Sequence, residues 1–248
     1  MNFYDDISAQ YDDMTRMHQR MEKEKQILQN WQERYHFHSV IDVACGTGLH
    51  SIIFAALGIK TLGVDASQKM IEKARANASF YGVEVEFATS AMEAMDSAID
   101  GRFDALFCLG NSIPHLQDSE SLARALKNFY NMLNPSGVAV LQLLNYRRIL
   151  AEKNRIVGVH RSGDREFIRF YDFAERLVRF NVLAISWKDD RAATQLHSTA
   201  LMPYTFSDLA AAIKVAGLAI EGQFGDLNFS AFDQLQSTDL VIVAQRRA

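Results

Sequence analysis

The chain has 248 residues, 48% apolar and 23% charged, which is the make-up of an ordinary globular protein with enough length to bury a full core. A formal net charge of −4 argues against a general nucleic-acid surface or a surface for anionic membranes, because phosphate binding rests on clustered lysine and arginine. Small-molecule chemistry is the class that remains.

The start of the chain, Met1 to Tyr11, carries Asp5 and Asp6 and no apolar run, and no later stretch is apolar enough to cross a bilayer, so a cytoplasmic protein is expected. Phe3 to Asp13 holds Tyr4 and Tyr11 among acids and reads as too polar for a core element. From Met14, the residues Met17, Met21, Leu28, Trp31 and Tyr35 recur at helical spacing, predicting an amphipathic helix up to the first strand. Residues 1–38 are therefore expected to form an N-terminal helical lid.

Val40 to Gly48 reads Val-Ile-Asp-Val-Ala-Cys-Gly-Thr-Gly, a buried parallel strand that turns sharply into a helix. Glycine there lets a ligand lie against bare main chain, and the helix start offers unpaired N–H groups. Leu49 to Leu57 is the predicted helix, stopped by Gly58, and Lys60 to Val64 is a second strand closing on Asp65. A carboxylate about twenty residues past a glycine loop is placed to accept the two hydroxyls of a ribose. The ligand is thus of adenosine type, either a dinucleotide or S-adenosylmethionine. The loop has no third glycine for a pyrophosphate, and Asp42 in its approach would repel one while suiting the ammonium of a methionyl tail, so S-adenosylmethionine is favoured.

Beyond Asp65, Ser67 caps a helix that Gly82 ends, Val83 to Ala88 is a third strand, and a short helix begins at Ser90. Phe103 to Leu109 and Val138 to Leu144 are the fourth and fifth strands, on either side of a helix opened by Ser119 or Ser121. Three runs, Glu166 to Phe173, Leu177 to Trp187 and Thr194 to Met202, follow without helices between them, with Asp189-Asp190 at one turn. Such strands pair antiparallel. A helix capped by Thr205 or Ser207 and two strands, Leu218 to Phe224 and Asp239 to Gln245, finish the chain. The expected fold is α/β: a Rossmann-like open sheet of seven strands, mostly parallel with the last antiparallel, and a small antiparallel sheet inserted after strand five. Residues 39–150 form the cofactor-binding core, 151–203 the insertion covering the acceptor site, and 204–248 the last helix and strands of the core sheet. Cys45 and Cys108 lack the spacing of a zinc or redox pair and read as small buried residues, and no metal site is expected.

The segment from Val40 to Leu150 resembles class I S-adenosylmethionine-dependent methyltransferases, closest to the glycine N-methyltransferase group. The likeness is carried by the glycine loop, Val64-Asp65-Ala66-Ser67 with Lys69-Met70, Cys108-Leu109-Gly110-Asn111-Ser112 with His115-Leu116, and Asn145-Tyr146. The resemblance implies that Ala44, Cys45 through its backbone, and Gly46-Thr47-Gly48 hold the methionyl part. It places Asp65 and Ala66 at the ribose, Met70 on adenine, and Leu109 and His115 along the cofactor. Arg20 would meet the cofactor carboxylate, and Tyr11, with Tyr4 as competitor, would close over the site.

The chain departs from that pattern in two places. Where an acid faces the adenine amino group, this sequence has Ser90-Ala91-Met92, leaving backbone or Glu93 for that contact. Where an arginine before Asn145-Tyr146 grips the carboxylate of glycine, it has Leu144, and an unpaired buried carboxylate costs several kcal/mol.

The expected activity is S-adenosylmethionine-dependent methylation of a small molecule, an amine other than glycine, with S-adenosylhomocysteine as product; a hydroxyl acceptor, and a binding module without catalysis, are the alternatives. Asn111 is expected to orient the acceptor, Tyr11 to shield it, and His115 to touch the cofactor or take a proton. Neither nucleic acid nor membrane is an expected partner. The sequence leaves the oligomeric state open.

Overall fold

The computed structural model describes residues 3–188 and 191–247. Seven strands form one sheet in the order β10-β11-β5-β4-β1-β2-β3, comprising β1 Ser39–Val43, β2 Lys60–Asp65, β3 Glu86–Thr89, β4 Phe103–Cys108, β5 Leu133–Leu144, β10 Leu218–Phe224 and β11 Asp239–Arg246. The strands from β3 across to β5 run parallel, and β11 pairs antiparallel with both β5 and β10. The expected α/β fold is borne out, including the reversed last strand. Chain order reverses on either side of β1, and the C-terminal ends of β1, β2 and β4 open there into the crevice where such sheets bind ligands.

Each face of the sheet is covered by helices because the central strands are apolar on both sides. Ile41, Leu106, Ala139 and Leu141 pack with α6 Ser119–Met132 and α8 Phe206–Ala216, while Val40, Phe107, Val140 and Val243 pack with α3 Met17–Tyr35, α4 Leu49–Ala56 and α5 Gln68–Tyr81. Trp31 of α3 is wholly buried, and its indole N–H donates to the Leu227 carbonyl at 2.8 Å. That bond ties the N-terminal helix to the last loop of the chain. α7, Tyr146–Glu152, is capped by Asn145, whose amide also donates to the carbonyls of Gln234 and Ser237. Among the described residues no helix is long and apolar enough to cross a membrane.

The insertion has four strands rather than three. β6 Ile156–Ser162, unread in the sequence because its apolar residues Ile156, Val157 and Val159 are exposed, is an edge strand beside β7 Arg165–Phe173, followed by β8 Val178–Lys188 and β9 Arg191–Leu201. All neighbours pair antiparallel. The expected Asp189-Asp190 turn lies outside the described residues.

The acidic start of the chain also differs from its reading. It folds into α1 Phe3–Ile7 and α2 Tyr11–Thr15, and Ile7 and Met14 are buried with Met70 of the core and Phe167, Val182 and Ala184 of the insertion. Two apolar side chains are enough to anchor it between the two sheets. Arg16, left-handed at φ 56°, breaks the path before α3, so the helix begins at Met17 rather than Met14.

One glycine is set by packing. A Cβ on Gly63 in β2 would lie 2.6 Å from the Phe87 ring and 2.8 Å from Ser51 Oγ. Gly63→Ala is expected to cost about 1–3 kcal/mol through overpacking. Urea unfolding should show the midpoint falling with the slope unchanged.

Candidate functional site

The loop after β1 is held open by three left-handed residues, Ala44 (φ 57°), Gly46 (φ 55°) and Gly48 (φ 89°). The Cys45 N–H donates to the Val64 carbonyl of β2, and the Gly48 N–H turns back to the Cys45 carbonyl, each at 3.0 Å. Asp65, at the end of β2, closes the other side. Its Oδ2 accepts the Gly46 N–H at 2.8 Å and its Oδ1 accepts the Ser67 N–H at 2.9 Å. Burial pushes the Asp65 carboxyl above its ordinary pKa, against the lowering by these two N–H groups, and Asp5 adds to the rise. Asp5 reaches it from α1 by accepting a hydrogen bond from Ser67 Oγ.

These loops wall a cavity of about 270 Å³. It is lined by Ala44, Cys45, Gly46 and Thr47 of the glycine loop, by Asp65 and Ala66 after β2, by Ser90, Ala91, Met92 and Glu93 after β3, and by Leu109 and His115 after β4. The structure thus brings together most of the residues named from the sequence. The lid comes from the N-terminal segment. A Cβ on Gly46 would sit 3.7 Å from Tyr11 Cε1, so the phenol ring lies over the glycine loop. Tyr4 stands beside it, with 6.2 Å between ring centroids, and its hydroxyl shares a 2.8 Å hydrogen bond with His115 Nε2.

Burial decides the charge state of these groups. It raises the pKa of both tyrosines, Tyr4 far above the usual phenol, and lowers that of His115 to about 4, so all three are neutral near pH 7. Tyr146, also pushed up by burial, meets Asn111 at 3.0 Å, and Tyr171 of β7 is pushed up to about 12.

Arg20 reaches the cavity wall from α3. Its Nε donates to Glu24 Oε1 at 2.7 Å, and Glu24 Oε2 lies 2.6 Å from His50 Nε2, on α4 below the glycine loop. Burial of Glu24 would raise its pKa, but the His50 hydrogen bond and charge, together with Arg20, bring it down to about 2. The guanidinium is thereby held by an ionised carboxylate.

Four residues named from the sequence lie elsewhere. Asp42 does not face the cavity: its buried carboxyl accepts the Ser51 hydroxyl at 2.6 Å and fixes α4 against β1. Gly48 is the N-cap of α4 and lies against Ala74 and Phe87, with 3.1 Å to the Ala74 Cβ from a Cβ placed on it. Met70 is wholly buried beneath the N-terminal segment and lines no part of the cavity. Asn111, left-handed at φ 67°, spends its amide on the fold, donating to Tyr146 Oη and accepting the Leu144 N–H at 3.0 Å.

Conversely, Thr15, Met17, Leu49, His50, Ser67 and Ser112 line the cavity without having been singled out for it. The first two belong to the N-terminal segment. The left-handed Arg16 that aims them inward leaves no mark in helical periodicity.

With His115 held neutral, stability should fall as pH drops from about 6.5 toward 4, because the unfolded chain takes up the proton first. Comparing the wild type with His115→Gln by urea unfolding between about pH 6.5 and about pH 4.5 isolates this loss, since the Glu24 contribution falls away only below that window. The variant should lack it.

Residues 40–137 match the family model described as "Methyltransferase domain". The chain is 36% identical over 111 residues to the glycine/sarcosine N-methyltransferase of Halorhodospira halochloris, covering 45% of this chain and 41% of that protein. It is 40% identical over 125 residues to the glycine N-methyltransferase of Mus musculus, covering 46% and 43%. The chain spans about half the length of the curated relatives it matches. In structure it is similar to an S-adenosylmethionine-dependent methyltransferase from Clostridium acetobutylicum, with a TM-score of 0.83, 17% identity and full coverage of both chains. A sugar N-methyltransferase from a Streptoalloteichus species superimposes with a TM-score of 0.72, 22% identity and coverage of 96% and 93%. At those identities the likeness is one of fold. The sequence resemblance to the glycine N-methyltransferase group is borne out.

Proposed function

We propose that this chain, whose residues 40–137 form a methyltransferase domain of the class I kind, methylates a small-molecule amine with S-adenosylmethionine and releases S-adenosylhomocysteine. The observation that carries the reading is the pairing of Asp65 with the Gly46 N–H across the mouth of the cavity. It sets a carboxylate beside the main chain of the glycine loop, in a cavity that Arg20 also lines.

The residues present fit the cofactor. Gly46, with no side chain, keeps the main chain of the loop bare beneath Tyr11, where an added Cβ would already touch the ring. Asp65 is the acceptor for the ribose hydroxyls, Arg20 is the cation for the cofactor carboxylate, and Leu109, Met92 and Ala91 supply apolar wall for the base. When bound, the cofactor supplies a methyl group activated by its sulfonium sulfur.

The chain's own residues hold the acceptor in place and keep water out. Alignment of reacting groups is worth roughly 7–11 kcal/mol when the geometry is good. Tyr4 and Tyr11 close the cavity from above, and as neutral phenols they donate hydrogen bonds without bringing a negative charge. His115, tied to Tyr4 and kept unprotonated by burial, adds no positive charge beside a cationic centre. Asn111 is a positioning residue: through Tyr146 and the Leu144 N–H it fixes the loop after β4 that carries His115.

An amine acceptor is favoured over a hydroxyl by the relatives and neighbours named as N-methyltransferases. Glycine is not the acceptor in this reading, since Leu144 brings no cation to the end of β5.

Asp65→Asn should weaken S-adenosylhomocysteine binding roughly ten- to hundredfold in calorimetry, because a charge-assisted bond is worth about 1.5–3 kcal/mol. Unchanged binding would remove the carboxylate from the ribose. The activity itself is tested by mass spectrometry of an amine panel incubated with the protein and S-adenosylmethionine. Transfer to no amine, with the cofactor bound, would leave a binding module.

A further inference from the structure

The insertion carries a half-buried cation, its Nε fully covered, that the reading above does not use. Arg169 lies in the middle of β7, and its register partners are Gly158 on β6 and Val182 on β8, which in turn pairs with His197 on β9. These four positions form one row across the sheet. Strand alternation puts Phe167, Arg169 and Tyr171 on one face. That face is the inner one, since Phe167 and Val182 pack against Ile7, Met14 and Tyr11 of the lid, and Tyr171 joins the core cluster that holds Tyr146.

Two nitrogens in this row, Arg169 Nε and His197 Nε2, are buried without a hydrogen-bond partner. Native structures rarely leave such donors unpaired, and an unpaired charged group is the costliest case. Gly158 makes room for the side chain: a Cβ there would come within 3.2 Å of Arg169 Nη2. The charges around it do not compensate. Arg16, whose guanidinium is occupied by His160 Nδ1, and Arg20, occupied by Glu24, both repel it, and together with burial they lower the Arg169 pKa. Among the described residues no carboxylate forms an ion pair with it. A half-buried guanidinium whose Nε has no partner, near two other arginines on the inner face of the inserted sheet, is a candidate anion site.

We propose that Arg169 grips an anionic group of the methyl acceptor, a carboxylate or a phosphate, from the inserted sheet, with His197 two strands along in the same row. This rests on the methyltransferase reading and adds a specificity to it. Arg169 is not among the residues that line the cavity, so an acceptor whose anion it holds reaches from the cavity to the insertion. Leu144 therefore excludes a cation at one wall while Arg169 supplies it at another.

The test pairs amines that differ only in charge: β-alanine against 3-aminopropanamide for the carboxylate, and O-phosphoethanolamine against ethanolamine for the phosphate. With the wild type, the anionic member of at least one pair should be methylated with a kcat/KM at least tenfold the higher, and which pair responds identifies the anion. Arg169→Gln should bring that ratio to about one while S-adenosylhomocysteine binding by calorimetry stays within about twofold, and Arg169→Lys should restore part of the ratio. A ratio unchanged in Arg169→Gln, or no turnover of any anionic member, overturns the proposal. Failure of the wild type to bind S-adenosylhomocysteine would instead overturn the methyltransferase reading itself. Melting curves of both variants separate loss of fold from loss of the anion contact, because misfolding would remove cofactor binding as well.

Discussion

The site depends on one carboxylate with two backbone donors. Asp65 takes the Gly46 N–H with one oxygen and the Ser67 N–H with the other, so the loop after β1 and the loop after β2 are fixed to each other rather than each to its own strand. Everything else in the cavity is placed relative to that bond. The left-handed turns of Ala44, Gly46 and Gly48 are sustained because the Gly46 amide has a charged acceptor to point at. The same acid, raised in pKa by burial, is steered by a second acid, Asp5, through the Ser67 hydroxyl, which draws the N-terminal segment down onto the loops.

A second layer of polar contacts supports the loops from below. Asp42 and Ser51 lock the start of α4 to β1, and His50, two residues past Gly48, joins Glu24 and Arg20 of α3. The glycine loop is thus held by bonds on both sides of it. This explains why Asp42 is buried away from the cavity: a carboxylate in that strand is more useful as an acceptor for the helix it precedes than as a ligand contact.

The core sheet was legible in the sequence because its central strands are largely apolar runs and each of β1 to β4 is followed by a helix. The floor of the cavity was legible for the same reason, since a glycine turn and Asp65 have few other uses in that order. The lid and the edge of the insertion were not. Ile7 and Met14 are seven residues apart within an acidic stretch, and their burial comes from Met70 and Phe167, which are remote in sequence. Strand β6 has its apolar residues facing solvent, the reverse of the pattern that identifies a strand. Met70 and Asn111 show a different limit. Each sits in a motif whose residue types match a binding role, yet each side chain is committed to the fold, and only the three-dimensional partners, Ile7 and Phe167 for one and Tyr146 and Leu144 for the other, decide between the two uses.

The seat of Ile7 and Met14 between the two sheets bears on traffic through the cavity. With Tyr11 stretched over Gly46 and Tyr4 bonded to His115, the roof is made of the chain's own first turns, pinned by a few methyl and thioether contacts. Any opening of this roof has to part those contacts, which also join the core to the insertion. The roof and the seam between the two sheets are therefore coupled, because the same few side chains hold both.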